Sequence, residues 1–95
     1  MKTIKVEQMT SPRTGAPVSN QFLIHTKEGV YFQSYNSIIA FKPHDNRRTQ
    51  IDSYFWDYSI TTTKYRNEFL RESTAETRAK IESKEYLLTN LNKIR

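Results

Sequence analysis

The chain reads as an α+β fold: an antiparallel sheet of about five or six strands with two short helices, about 61–72 and 74–83, packed on one side. Three observations predict this. Residues 4–53 alternate with a period of two, broken by Gly, Pro, Asn and Asp at turn spacing. From Thr61 onward the period changes, with Tyr65 and Phe69 four apart and Leu70 beside them. Ser73-Thr74-Ala75-Glu76 then places a serine cap three residues before a glutamate, the signature of a second helix start.

The elements follow in order. Ile4 and Val6 share one side of a short first strand, with Lys5 and Glu7 on the other. Residues 9–19 (MTSPRTGAPVS) hold two of the three prolines and one of the two glycines, which predicts a mobile loop. QFLIHT alternates Phe22 and Ile24 against Gln21 and His25, with Leu23 making the second face partly apolar. Lys27-Glu28-Gly29 reads as a hairpin turn in which Gly29 supplies a positive φ. VYFQSY is the return strand, Val30 and Phe32 on one face and Tyr31 and Tyr35 on the other.

Ser37–Lys42 is the most apolar strand candidate and is expected to be central. Pro43-His44-Asp45-Asn46 makes a turn, and Thr49–Ser53 returns. Ser59 or Thr61 is positioned to cap the first helix. Glu76 and Lys80 have the favourable i,i+4 order in the second, which is otherwise mostly solvated apart from Ala75 and Ile81. Residues 85–91 (EYLLTNL) read as a closing strand.

At 95 residues the chain has room for one domain, spanning 1–95, and a modest core. Aromatics number 12, against 16 Ile, Leu and Val side chains, so the fold needs most of its rings for packing. The absence of cysteine excludes disulfides and thiolate zinc sites, and a cytoplasmic setting fits. MKTIKVEQMT has no apolar segment of a secretory leader, and no run is apolar enough for a membrane span. The net charge of +5 suits a polyanionic partner. It is spread along the chain, however, with 7 basic and 4 acidic groups in residues 1–52 and 8 and 6 in 53–95.

Two stretches resemble a family pattern. Ser34-Tyr35-Asn36-Ser37-Ile38-Ile39-Ala40 resembles SY-x-(S/T)-x-(I/V)-A, and Tyr58-Ser59-Ile60-Thr61-Thr62-Thr63-Lys64-Tyr65 resembles YS-x-TT-x-K-(Y/H). Together, over about residues 20–70, they are similar to a family of small, mostly uncharacterised proteins of bacteriophages and mobile elements. The resemblance implies a phage or prophage origin and one compact domain, with no catalytic residue to transfer. The family often has histidine where this chain has Tyr65.

Candidate chemistry falls into three places. Thr61, Thr62 and Thr63 precede or open a helix, where free N–H groups favour phosphate, and Lys64 and Arg66 add charge. Helix capping alone is the commoner use of such hydroxyls. The cluster Tyr54, Phe55, Trp56 and Tyr58 reads first as core or core edge and second as a stacking strip. Tyr31 and Tyr35 are the better candidates for exposed rings, with Arg47 and Arg48 flanking from a neighbouring turn. Such a surface suits single-stranded DNA or RNA, or equally a protein partner: a host protein or a second copy. His25 and His44, lacking metal-ligand spacing, argue against a metal centre. No P-loop, nucleophile elbow or held carboxylate pair appears, so neither enzyme activity nor a cofactor is expected.

Overall fold

The computed structural model describes residues 4–92, so the domain expected over 1–95 is described without its first and last three residues. Six strands form one sheet in sequence order: β1 (Lys5–Thr10), β2 (Pro17–His25), β3 (Gly29–Ser34), β4 (Ser37–Pro43), β5 (Gln50–Asp52) and β6 (Leu87–Thr89). Between β5 and β6 come α1 (Ile60–Leu70) and α2 (Thr74–Glu82). The α+β architecture expected from the sequence is therefore the one observed.

The first five strands form an antiparallel meander, but β6 runs parallel to β5, with Ile51 opposite Leu88. The sheet is mixed because two helices intervene there, and a crossover of that length lets the returning strand lie parallel. The span 9–19, expected to be loop, lies partly in strands. Strand pairing continues to Thr10, opposite Pro17, and only 11–16 lie between the strands. Pro17 is tolerated as the first residue of its strand. Ser11 closes this loop, accepting from Gly15 N–H and donating its own N–H to Ala16 O, both at 2.8 Å.

Gly29 is not required for a positive φ. A Cβ there would strike Lys42 O and the Phe41 ring, so glycine is needed for close approach of two strands. The β2–β3 turn instead depends on Thr26, whose hydroxyl donates to Gly29 O at 2.8 Å and accepts from the N–H groups of Glu28 and Gly29. In β4 a register shift opposite Phe32 and Gln33 leaves Ile39 without its own partner. Ile39 and Ala40 are both buried in the core, as a bulge allows.

The helices begin as their hydroxyls predict. Ser59 caps α1 by accepting from Thr62 N–H, and Ser73 and Glu76 complete a reciprocal capping box on α2. Glu76 is thereby committed, and Lys80 bonds Glu72 at 2.8 Å instead of the expected Glu76. Both helices pack on one face of the sheet. The core there joins Phe32, Ile39, Ala40 and Ile51 to Tyr65, Phe69 and Tyr86, with Phe32 and Phe69 ring centroids 5.7 Å apart. Ile81 packs against this core, whereas Ala75 is exposed.

Residues 53–58 turn rather than extend. The Asp52 carboxylate, wholly buried, accepts from Tyr54 N–H at 3.0 Å and Phe55 N–H at 2.7 Å and winds the chain after β5. Phe55 and Trp56 become core edge, and Tyr54 and Tyr58 point to solvent, each meeting Phe55 edge-on. The shared face expected for Tyr54, Trp56 and Tyr58 does not form, because it presumed a straight strand.

Candidate nucleic-acid interface

Alternation along strands fixes what the second face of the sheet presents. Phe32, Ala40 and Ile51 face the helices, so their neighbours Tyr31, Phe41 and Gln50 face away. The strand register extends that row across the whole sheet: Val6, Ile24, Tyr31, Phe41, Gln50 and Leu87 stand side by side. Phe22 and Gln33 begin a second row beside it. Tyr31 lies over Phe41 with centroids 4.3 Å apart, which covers Phe41 almost completely and leaves the tyrosine half-exposed.

Arg47 and Arg48 come from the turn between β4 and β5. Arg47 Nε donates to both Asp45 oxygens, at 2.9 and 3.0 Å. Hydrogen bonds from the backbone and side chain of Arg47 hold the Asp45 carboxyl below its usual range. In return Asp45 raises Arg47 further, and Glu28 and Tyr31 are close enough to add to its positive bias. The Arg47–Asp45 pair is exposed, so it competes weakly with another anion. Arg48 donates to Lys84 O at 3.0 Å. With Asn46, Gln50 and Leu87 the two arginines line a 400 Å³ depression. Gln50 and Leu87 also belong to the open row, so basic groups and the Tyr31–Phe41 stack form one continuous surface.

The residues at the start of α1 divide differently. Thr62 is buried, its hydroxyl 2.9 Å from Ser34 Oγ and 3.1 Å from Ser59 Oγ, which leaves no capacity for a ligand. Arg66 is not a surface cation either. Fully buried, it donates to Trp56 O, and at 2.9 Å to Asn67 Oδ1 and Thr74 Oγ1. Its guanidinium lies 5.0 Å from the Trp56 ring centroid, and Arg78 lies against the same ring at 5.2 Å. Burial pulls the Arg66 pKa down from its usual value, opposed by Asp57 and Glu72. Its work is to fasten the aromatic turn to both helices.

Thr61 and Thr63 are half-buried and Lys64 is exposed beside the Tyr65 ring. Thr63 and Lys64 line a 680 Å³ groove with Tyr58, Ile60 and Asn67, but Asp57 and Glu68 line it too. Two carboxylates beside one ammonium make a poor phosphate site. Tyr35 is also displaced from its expected place next to Tyr31. It sits in the β3–β4 turn at φ 56°, 49% exposed, because β3 ends at Ser34. Of the nine residues singled out by sequence, the fold therefore gathers Tyr31, Arg47 and Arg48. Phe41, Gln50 and Leu87 join them unanticipated, since only strand register reveals them.

No helix is long and apolar enough to cross a membrane among the described residues. Residues 4–86 match the family described as "Family of unknown function (DUF8033)", and the chain belongs to that family. No curated protein matches the chain. No solved structure matches it either.

Proposed function

We propose that the protein is a non-enzymatic binding module that holds single-stranded DNA or RNA across the open face of its sheet. One observation carries this reading: Tyr31, stacked on Phe41, lies in a row that ends at a depression lined by Arg47 and Arg48. A ring backed by a second ring, tilted 30° to it, is a platform for a base, and base stacking on a ring contributes about 1–3 kcal/mol per base. The arginines supply charge for the backbone, and the amide of Gln50 supplies hydrogen bonds in the same row. The net charge of +5 favours the encounter. In this reading the protein acts in the cytoplasm, that of a host cell if the phage or prophage origin implied by its two motifs is correct.

Fluorescence anisotropy of a labelled single-stranded oligonucleotide against salt tests the proposal. Affinity is expected to fall steeply with salt, Arg47→Ala/Arg48→Ala to flatten that slope, and Tyr31→Ala to weaken binding at every salt concentration. Absence of binding at low salt would overturn it.

A second reading, a protein-interaction surface, has its own observation. Val6, Ile24 and Leu87 put aliphatic side chains in the same row, and Val6 is 61% exposed. Association through this face would be insensitive to salt and to the arginine changes, while Ile24→Asp would abolish it.

A further inference from the structure

The two edges of the sheet differ in kind. At one edge β6 has three residues, while at the other β1 has six, and among the described residues no strand pairs with its outer side. An edge strand of that length exposes a ladder of N–H and C=O groups to any chain able to pair with it. We propose that the occupant is a second copy of β1, joined antiparallel about a two-fold axis at Val6.

The register follows from the side chains. Only pairings that keep the helix-bearing sides together place apolar groups opposite apolar groups, which leaves registers centred on a single residue. Centring on Lys5 would set lysine against lysine, and centring on Glu7 would set glutamate against glutamate. Centring on Val6 sets Lys5 of each copy against Glu7 of the other, Val6 against Val6, and Ile4 against Gln8. Opposite charges then meet twice, and the exposed valine, along with Ile4 at 57% exposure, is partly covered. Glu7 is already held by His25 Nε2 at 2.9 Å, which keeps its carboxylate upright on the helix-bearing side next to the open edge. α1 packs over β3 and β4, two strands or more from β1, which leaves a lysine room to arrive at that edge among the described residues.

The axis is perpendicular to the sheet. The two open faces therefore lie on the same side and the rows through Val6 join end to end. This assembly does not depend on what the open face binds and is tested without nucleic acid.

Sedimentation velocity across a concentration series supplies the test, with circular dichroism confirming that each variant is folded. The protein is expected to pass from monomer to dimer as concentration rises, since a five-residue ladder is a small interface. Lys5→Glu and Glu7→Lys should each abolish the dimer by setting like charges opposite one another. The double variant Lys5→Glu/Glu7→Lys restores opposite pairs and should recover it. A monomer at every concentration would overturn the proposal. So would a dimer unmoved by the single changes, which would place the contact on the open face or at β6, and so would a double variant that fails to recover.

Discussion

Phe32 and Tyr31 are neighbours in β3 and have opposite fates. Phe32 is wholly buried under α1, while Tyr31 rests on Phe41 with one side toward solvent. The contrast holds for the sheet as a whole. One face closes over a core that includes Tyr65, Phe69 and Tyr86, and the other keeps an apolar row that nothing within the described residues covers. A sheet with water on one side normally alternates apolar with polar residues. Here β2 and β4 put apolar residues on both faces, as Leu23 and Ile24, and Ala40 and Phe41, illustrate. The second face thus carries the apolar surface on which the proposed binding rests.

The comparison is tested most severely at Phe32. Phe32→Ala should cost about 3–5 kcal/mol in urea denaturation, the range for a large aromatic lost from a closed core. A cost no greater than that of Tyr31→Ala would mean the two faces are equally packed. Next comes Arg66→Met, which removes the donors to the part-buried acceptors Trp56 O and Asn67 Oδ1 and one of the two to Thr74 Oγ1. A loss of about 1–3 kcal/mol is expected, with oligonucleotide affinity unchanged once the protein is folded. A selective loss of affinity would return Arg66 to the binding surface.

The helix side should also respond to pH through Glu72, Lys80 and Tyr86. Burial and the hydrogen bond to Glu72 push the Tyr86 hydroxyl up to about 12, and the same carboxylate raises Lys80 to about 12. Both groups are protonated in the folded contact, so their contribution is complete below the unfolded values near ~10 and is lost as pH rises toward about 12. Glu72 itself is raised by burial but lowered more by hydrogen bonds from Lys80, Thr77 and Tyr86, for a net depression. Its contribution is present above the ordinary glutamate range and fades as pH falls through the depressed value. Thermal melts of Glu72→Gln across pH should lose the acid limb. They should retain a smaller alkaline one, because burial of Tyr86 remains. The smallest effect on stability is expected at Tyr31→Ala, about 1 kcal/mol or less, although this change should weaken oligonucleotide binding most directly.

Local chemistry was readable from sequence; the meeting of distant segments was not. Ser59, Ser73 and Glu76 announce both helix starts because a cap involves residues three apart. The hairpins β2–β3 and β4–β5 follow from turn residues between alternating runs. Arg66 reads as solvated because helical arginines usually are; its burial requires Trp56 and Thr74, which no spacing ties to it. Tyr35 reads as a strand residue until β3 is seen to stop one position earlier. Arg47, Arg48 and Tyr31 were all singled out, yet their joining through Phe41, Gln50 and Leu87 depends on registers that alternation within one strand does not contain.

Asp52 also sets an order of events. Its carboxylate holds the turn at Tyr54 and Phe55, and then accepts from Leu91 N–H at 2.7 Å and Asn92 Nδ2 at 3.0 Å, while Asn92 Nδ2 also donates to Ile38 O at 2.8 Å. On a growing polypeptide, Asp52 emerges about forty residues before its last partners, a separation that slows loop closure only modestly. The meander through β4 is composed of short-range pairings and can assemble first. Until Leu87–Thr89 are made, β5 has no neighbour on its outer side, and until Leu91 and Asn92 follow a buried acid lacks half its donors. The nascent protein thus carries an open seam until β6 and the Leu91–Asn92 pair arrive to seal it.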